Sequence, residues 1–200
     1  NNSVICGTSN KVSAGDNSFI GSGLCNTISS SGNNNSICGG RSNLVSGNST
    51  LSLIGTGLFN RISDGNNNMI GAGGSNFVSA CCNSGIMVGV NNTITTGAIR
   101  SFIASGISNI ITGTTNSAIM VGVGNSISSA TNSSIICGQC NTVSVNASCI
   151  NAGYNSSIAG TGSRNNISTG TSNTINGTAC NAMIGGGFVN LITNTINGAI

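Results

Sequence analysis

The chain repeats one line of apolar and polar positions, mostly every 16 or 17 residues: Ile, three later Gly, three later Asn, two later Ile or Val. A first aliphatic column runs Ile5, Ile20, Ile37, Ile54, Ile70, Ile86, Ile103, Ile119, Ile135, Ile150, Ile167 and Ile184, and Ile200 opens a further line. A second column runs Val12, Ile28, Val45, Ile62, Val78, Ile94, Ile111, Ile127, Val143, Ile158, Ile175 and Ile192. It follows the first by eight residues in every line but the first, where the spacing is seven. A fixed period of this length marks a stacked-coil architecture, in which each repeat buries its apolar face only against its neighbours.

Strands place alternate side chains on opposite faces, so the neighbours of each column residue reveal the strand. Small residues flank the first column, such as Ser18, Ser52 and Ser84 two before it and Gly39 and Ala72 two after it. One large aliphatic between small residues describes a narrow interior with a single apolar layer per strand. β-Branched Ile and Val suit such strands, and an even spacing of eight lets both columns face inward from two opposed strands. The pattern therefore predicts an all-β fold, a parallel β-solenoid with about twelve coils and two short strands per coil, forming one repeat domain over residues 1–200. At about 4.8 Å per coil, such a stack would be a rod roughly 55 to 60 Å long. The sequence opens and closes in mid-repeat, which reads as an excerpt of a longer fibre.

Two polar columns mark the first corner. The glycines are Gly7, Gly23, Gly40, Gly57, Gly73, Gly89, Gly106, Gly122, Gly138, Gly153, Gly170 and Gly187, and a column filled only by Gly implies positive φ or no room for a Cβ. The asparagines are Asn10, Asn26, Asn43, Asn60, Asn76, Asn92, Asn109, Asn125, Asn141, Asn173 and Asn190, with Ser156 breaking the series. Asn tolerates the left-handed turn conformation and stacks in ladders, so this column is read as structural. The second corner varies between seven and nine residues, and specificity-determining variation is expected there.

Charged residues are 4% and aromatics 3%, and Pro, Trp and His are absent, yet the strict aliphatic period argues for order over disorder. The scattered cations Lys11, Arg41, Arg61, Arg100 and Arg164 form no nucleic-acid footprint, and no apolar run is long enough to insert in a membrane. The chain has no Glu, and its two Asp, Asp16 and Asp64, lie three repeats apart. General acid–base chemistry needs such groups to converge, so no catalytic residue and no enzyme activity are expected. Calcium-binding repeats need an Asp in each coil, and Cys137-Gly-Gln-Cys140 lacks a second CxxC or a His to make a zinc site. No cofactor or metal is therefore expected. The nine cysteines (Cys6, Cys25, Cys38, Cys81, Cys82, Cys137, Cys140, Cys149 and Cys180) do not line up in adjacent coils, so they read as small tolerated residues.

Outward positions differ between the strands. Just before the first column stand Val4, Phe19, Leu53, Met69, Phe102 and Met183, an uncharged and partly apolar strip that is the candidate oligomer face. The matching column of the second strand mixes Lys11, Arg61, Thr27, Thr93, Thr142 and Thr174 with Leu44, Phe77 and Ile110.

The stretches NSVICGTSNKVSAGDNS and NSAIMVGVGNSISS resemble the head repeats of YadA-like trimeric autotransporter adhesins. The resemblance is one of pattern and covers the whole chain. It implies a left-handed parallel β-roll, a homotrimer, and non-enzymatic adhesion to a protein or glycan ligand of a host cell or matrix. Three departures stand out: the inward Ala positions of that family are Ile or Val here, the period is longer, and cysteines are frequent. Similar repeats occur in fibre proteins of large DNA viruses. The expected function is thus a structural fibre or adhesin segment at an extracellular, cell or virion surface. The alternatives are a spacer fibre with no ligand of its own, and an ice-binding solenoid, whose Thr array Lys11, Arg61 and Phe77 would interrupt.

Overall fold

The computed structural model describes all of residues 1–200, as two compact units, Asn1–Arg100 and Ser101–Ile200. The protein is all-β and contains no helix. It is a parallel β-solenoid of about twelve turns, six in each unit, with two strands per turn.

In the first unit the strands are β1 (Ser3–Val4), β2 (Lys11–Val12), β3 (Phe19–Ile20), β4 (Thr27–Ile28), β5 (Ser36–Ile37), β6 (Leu44–Thr50), β7 (Leu53–Ile54), β8 (Arg61–Asn66), β9 (Met69–Ile70), β10 (Phe77–Cys82), β11 (Gly85–Ile86) and β12 (Thr93–Thr95). In the second they are β13 (Phe102–Ile103), β14 (Ile110–Thr112), β15 (Ala118–Ile119), β16 (Ser126–Ser128), β17 (Ser134–Gln139), β18 (Thr142–Val143), β19 (Cys149–Tyr154), β20 (Ser157–Ile158), β21 (Asn166–Ile167), β22 (Thr174–Asn176), β23 (Met183–Ile184) and β24 (Leu191–Thr193). Within each unit the odd-numbered strands stack in order as a first parallel sheet and the even-numbered strands as a second.

Both aliphatic columns point into the narrow space between the sheets. From Ile20 to Ile184 in the first column and from Ile28 to Ile175 in the second, every member is fully buried. Each such side chain contributes roughly 1.5–3 kcal/mol by leaving water. Because each strand supplies one inward aliphatic, the core is a double file of Ile and Val with no room for an aromatic.

The first coil departs from the sequence reading. Val4, not Ile5, pairs with Ile20, and the Ser3 N–H donates to the Ser18 carbonyl at 3.0 Å. Ile5 occupies the register position of Gly21, pointing away from the core at 68% exposure. Val4 therefore belongs to the inward column and leaves the proposed oligomer face; it is 44% exposed because it lies in the terminal coil. With Val4 in place, the eight-residue spacing to the second column holds in every coil, and the seven-residue exception disappears.

The two corners of a coil are built alike. Three residues before each inward aliphatic the backbone enters the left-handed region, as at Ser9, Cys25 and Ser42 on the first corner and Asn17, Asn34 and Asn67 on the second. The left-handed residue turns its N–H back to the preceding coil: Cys25 donates to the Thr8 carbonyl at 2.9 Å and Asn34 to that of Asp16 at 2.8 Å. Neighbouring residues donate to the following coil, as Leu24 does to Gly40 at 2.9 Å. One coil is thus two half-coils that share a turn.

This geometry separates two isoleucines that look alike in sequence. Ile54→Ala should cost about 2–5 kcal/mol through lost burial and a cavity, whereas Ile5→Ser should change stability by less than about 0.5 kcal/mol. Denaturant unfolding of the two variants checks the assignment, and equal losses would refute the register.

Candidate functional site

The polar groups of the corners form ladders that run along each unit. On the first corner the Asn76 side chain donates to the Asn60 Oδ1 at 3.0 Å, the Gly89 carbonyl at 2.7 Å and the Ala72 carbonyl at 3.3 Å. Its own Oδ1 accepts the Asn92 N–H at 3.1 Å. The same pattern links Asn10, Asn26, Asn43 and Asn60 in the first unit, and Asn109, Asn125 and Asn141 in the second. Beyond these, Ser156 carries the link with its hydroxyl, which accepts the Asn173 N–H at 3.3 Å, and Asn173 passes it to Asn190. The Asn side chains explain the glycines: a Cβ on Gly73 would press on the Asn76 amide and on the backbone of Gly89, and its φ of 110° suits glycine alone.

A second ladder, on the opposite corner, was not separated from the strand flank in the sequence. Its rungs are Ser18, Asn35, Ser52, Asn68 and Ser84 in the first unit and Ser117, Ser133, Ser148 and Asn165 in the second, all buried. Asn35 donates to the Ser49 carbonyl at 2.8 Å and accepts the Ser52 N–H at 3.0 Å. The Ser117 hydroxyl donates to the Ala130 carbonyl at 2.7 Å and accepts the Ser133 N–H at 3.3 Å. Counting back two from each first-column Ile does align its serines, but as strand flank; that Asn35, Asn68 and Asn165 fill the same position is the signal of a ladder.

Titratable groups do not converge. The surface carries no pocket, and His, Cys, Asp and Glu form no group able to hold a metal. The Asp64 carboxylate accepts the Asn48 N–H at 2.9 Å and the Ser63 hydroxyl at 3.0 Å, which hold its pKa below the ordinary value. The Arg61 guanidinium lies over the Phe77 ring at 5.4 Å, its in-register neighbour on the second sheet. All nine cysteines are free, Cys137 and Cys140 among them. Cys81 is the buried one, and burial pushes its thiol up to about 11.

The apolar surface sits beside the column that alternation singled out. Phe19, Leu53, Met69 and Phe102 do project from the first sheet, yet each is half-buried against its stacked neighbours, and only Met183 of that column is strongly exposed. The exposed apolar residues gather on the glycine corner: Leu24, Leu58 and Val90 in the first unit, and Ile107, Val123, Tyr154 and Phe188 in the second. These share one bridged position of the coil, and Met87 and Val88, or Met120, Val121 and Ile136, widen it. In the second unit this corner bears no charge, since Arg164, on the opposite corner, is the only charged residue of that unit.

Two outcomes follow from the corner chemistry. Asn76→Ala removes the side-chain acceptor of the Asn92 N–H and one of the two donors to the Gly89 carbonyl, which keeps the Gly74 N–H, and should cost about 1–3 kcal/mol; Asn76→Ser, which keeps an acceptor as Ser156 does, should cost less. Thermal unfolding of both variants measures the order. For the thiols, a raised pKa disfavours the reactive thiolate, so at pH 8 iodoacetamide should label exposed Cys25 and Cys140 well before Cys81. Peptide mass spectrometry reads this directly, and early labelling of Cys81 would contradict its burial.

Neither a family model nor a curated protein sequence matches this chain.

Proposed function

We propose that the chain is a non-enzymatic structural segment of a surface fibre or adhesin, presenting a repeated surface at an extracellular, cell or virion boundary. The observation that carries this reading is the division of labour within the coil. Inward aliphatics and the two corner ladders use the interior, where only small residues or Ile and Val alternate, and the positions that take charged, aromatic and polar residues alike are outward. Nothing in the coil draws acids, bases and nucleophiles together, whereas repetition suits multivalent contact, in which avidity arises from many weak engagements. Resemblance to trimeric adhesin heads sets the proposed stoichiometry, and a protein or glycan of a host surface is the proposed ligand.

The uncharged apolar corner of the second unit, with the adjoining first-sheet column, supplies the proposed self-association surface. Uncharged and mostly apolar, with only Gln139 and Thr171 interrupting the bridged column, this strip exceeds scattered exposure and supports a contact. Met120→Asp with Val123→Asp should convert trimers to monomers in sedimentation velocity without lowering the unfolding temperature, because both side chains are exposed. Beads coated with the unaltered chain should be retained on cell monolayers or matrix-coated glass. A chain that is monomeric and leaves beads unbound on both would overturn the reading.

A further inference from the structure

The second sheet of the second unit carries a surface that the attachment reading does not use. Along β16, β18, β20 and β22, Ser126, Thr142, Ser157 and Thr174 stand opposite one another in unbroken register. Ser128 and Ser144 stand two residues beyond the first two on the same outward side, starting a second rank that ends at Ala159. Lys11, Leu44, Arg61 and Phe77 break this column in the first unit, and in the second the exposed Ile110 and Leu191 bound the four hydroxyls at either end.

These six hydroxyls differ from the inner serines. The Ser117 and Ser133 hydroxyls donate to the Ala130 and Val145 carbonyls at 2.7 and 2.9 Å. By contrast, the hydroxyls of the outward six bond no atom of the chain, and the residues are half-buried with their oxygens not wholly covered. Their spacing is set by the backbone, about 4.8 Å between coils and about 6.6 Å along the strand. The aliphatics directly beneath, Ile127, Val143, Ile158 and Ile175, are fully buried, which fixes the strand that carries each hydroxyl.

We infer that this face binds ice. Charge complementarity selects the class of partner: a face with no ionisable group offers nothing to an ionic ligand and fits a neutral hydrogen-bonding lattice. The two-dimensional repeat is on the scale of the water spacing in surfaces of hexagonal ice, and the threonine methyl groups order the water between the hydroxyls. A crystalline polysaccharide is the other neutral lattice, but sugar faces are held by aromatic rings, and these ranks contain none.

The test uses the full chain, measuring thermal hysteresis together with partition into a slowly growing ice hemisphere. The unaltered chain should shape ice crystals and enter the ice. Thr142→Lys with Thr174→Lys should abolish both effects, and Lys11 and Arg61 in the same column show that the coil accepts a cation there. Thr27→Lys, in the interrupted first unit, should leave them unchanged, which controls for added charge. An unaltered chain excluded from ice overturns the inference, as does a double variant that is folded by circular dichroism and still active. Retention on crystalline cellulose or chitin, lost in the double variant and without ice activity, overturns it in favour of a polysaccharide. The inference rests on the chain being a display module: beads that adhere with a chain that ignores ice overturn the ice assignment alone, and failure of both overturns the module reading too.

Discussion

Turning a chain every eight residues leaves backbone N–H and C=O groups at each corner that a two-residue strand cannot satisfy, and the solenoid depends on how these are met. A buried polar backbone group without a partner costs about 1–3 kcal/mol, and each coil creates such groups twice. The solution is a side chain that imitates the backbone. An Asn amide donates to the carbonyl of the next coil and accepts the next coil's N–H, as Asn76 does with Gly89 and Asn92. On the other corner a Ser hydroxyl does the same with one atom, as Ser117 does with Ala130 and Ser133. The ladder requires the residue before it to be left-handed and, on the first corner, a glycine three before it, so the most regular columns of the sequence follow from one hydrogen-bonding demand.

The same demand explains which parts of the fold were legible in the sequence. Ile, Gly and Asn on the first corner are spelled with nearly invariant residues because an amide, a missing Cβ and a β-branched wedge have few substitutes there. The second corner performs the same turn with Ser, Asn or Ala182 as rung, and with Gly32, Cys81, Ala98 or Thr114 where the first corner has its glycine. Several small residues meet that need, so the column loses its spelling while keeping its geometry. Left-handed positions are harder still to read: Leu51, Phe59, Arg100 and Val189 adopt φ values of 52–57° with nothing in their chemistry to announce it. Strain of this kind persists where the surrounding bonds over-determine the backbone.

One misplacement and one omission have a common cause. Ile5 was taken for a core residue because the Ile column was extended past the end of the first strand, and the exposed apolar corner was missed because alternation looks only along strands. Most strands here last two or three residues, so alternation fails almost at once and the corner geometry takes over. Ile5 then lies outside its strand, and Leu58, Val123 and Tyr154 stand out on a corner where no period of two would look for them. The invariant that survives is the eight-residue distance between inward aliphatics, and it selects Val4 over Ile5 without any structure.

Confining the framework to interior and ladders leaves the two outer surfaces free to diverge, and they have diverged by unit. In the first unit the second sheet mixes Lys11, Arg61, Phe77 and Leu44 with Thr27 and Thr93, including a cation stacked on an aromatic ring. In the second unit the same column is Ser or Thr over four successive coils. The inward residues beneath the two stretches are interchangeable Ile and Val, so core packing does not require the difference. A column that tolerates Lys, Phe and Leu in one unit, and Ile110 and Leu191 at the ends of the other, has no structural need for four successive hydroxyls between them, and a run of hydroxyls with no partner inside the chain is better explained by something outside it.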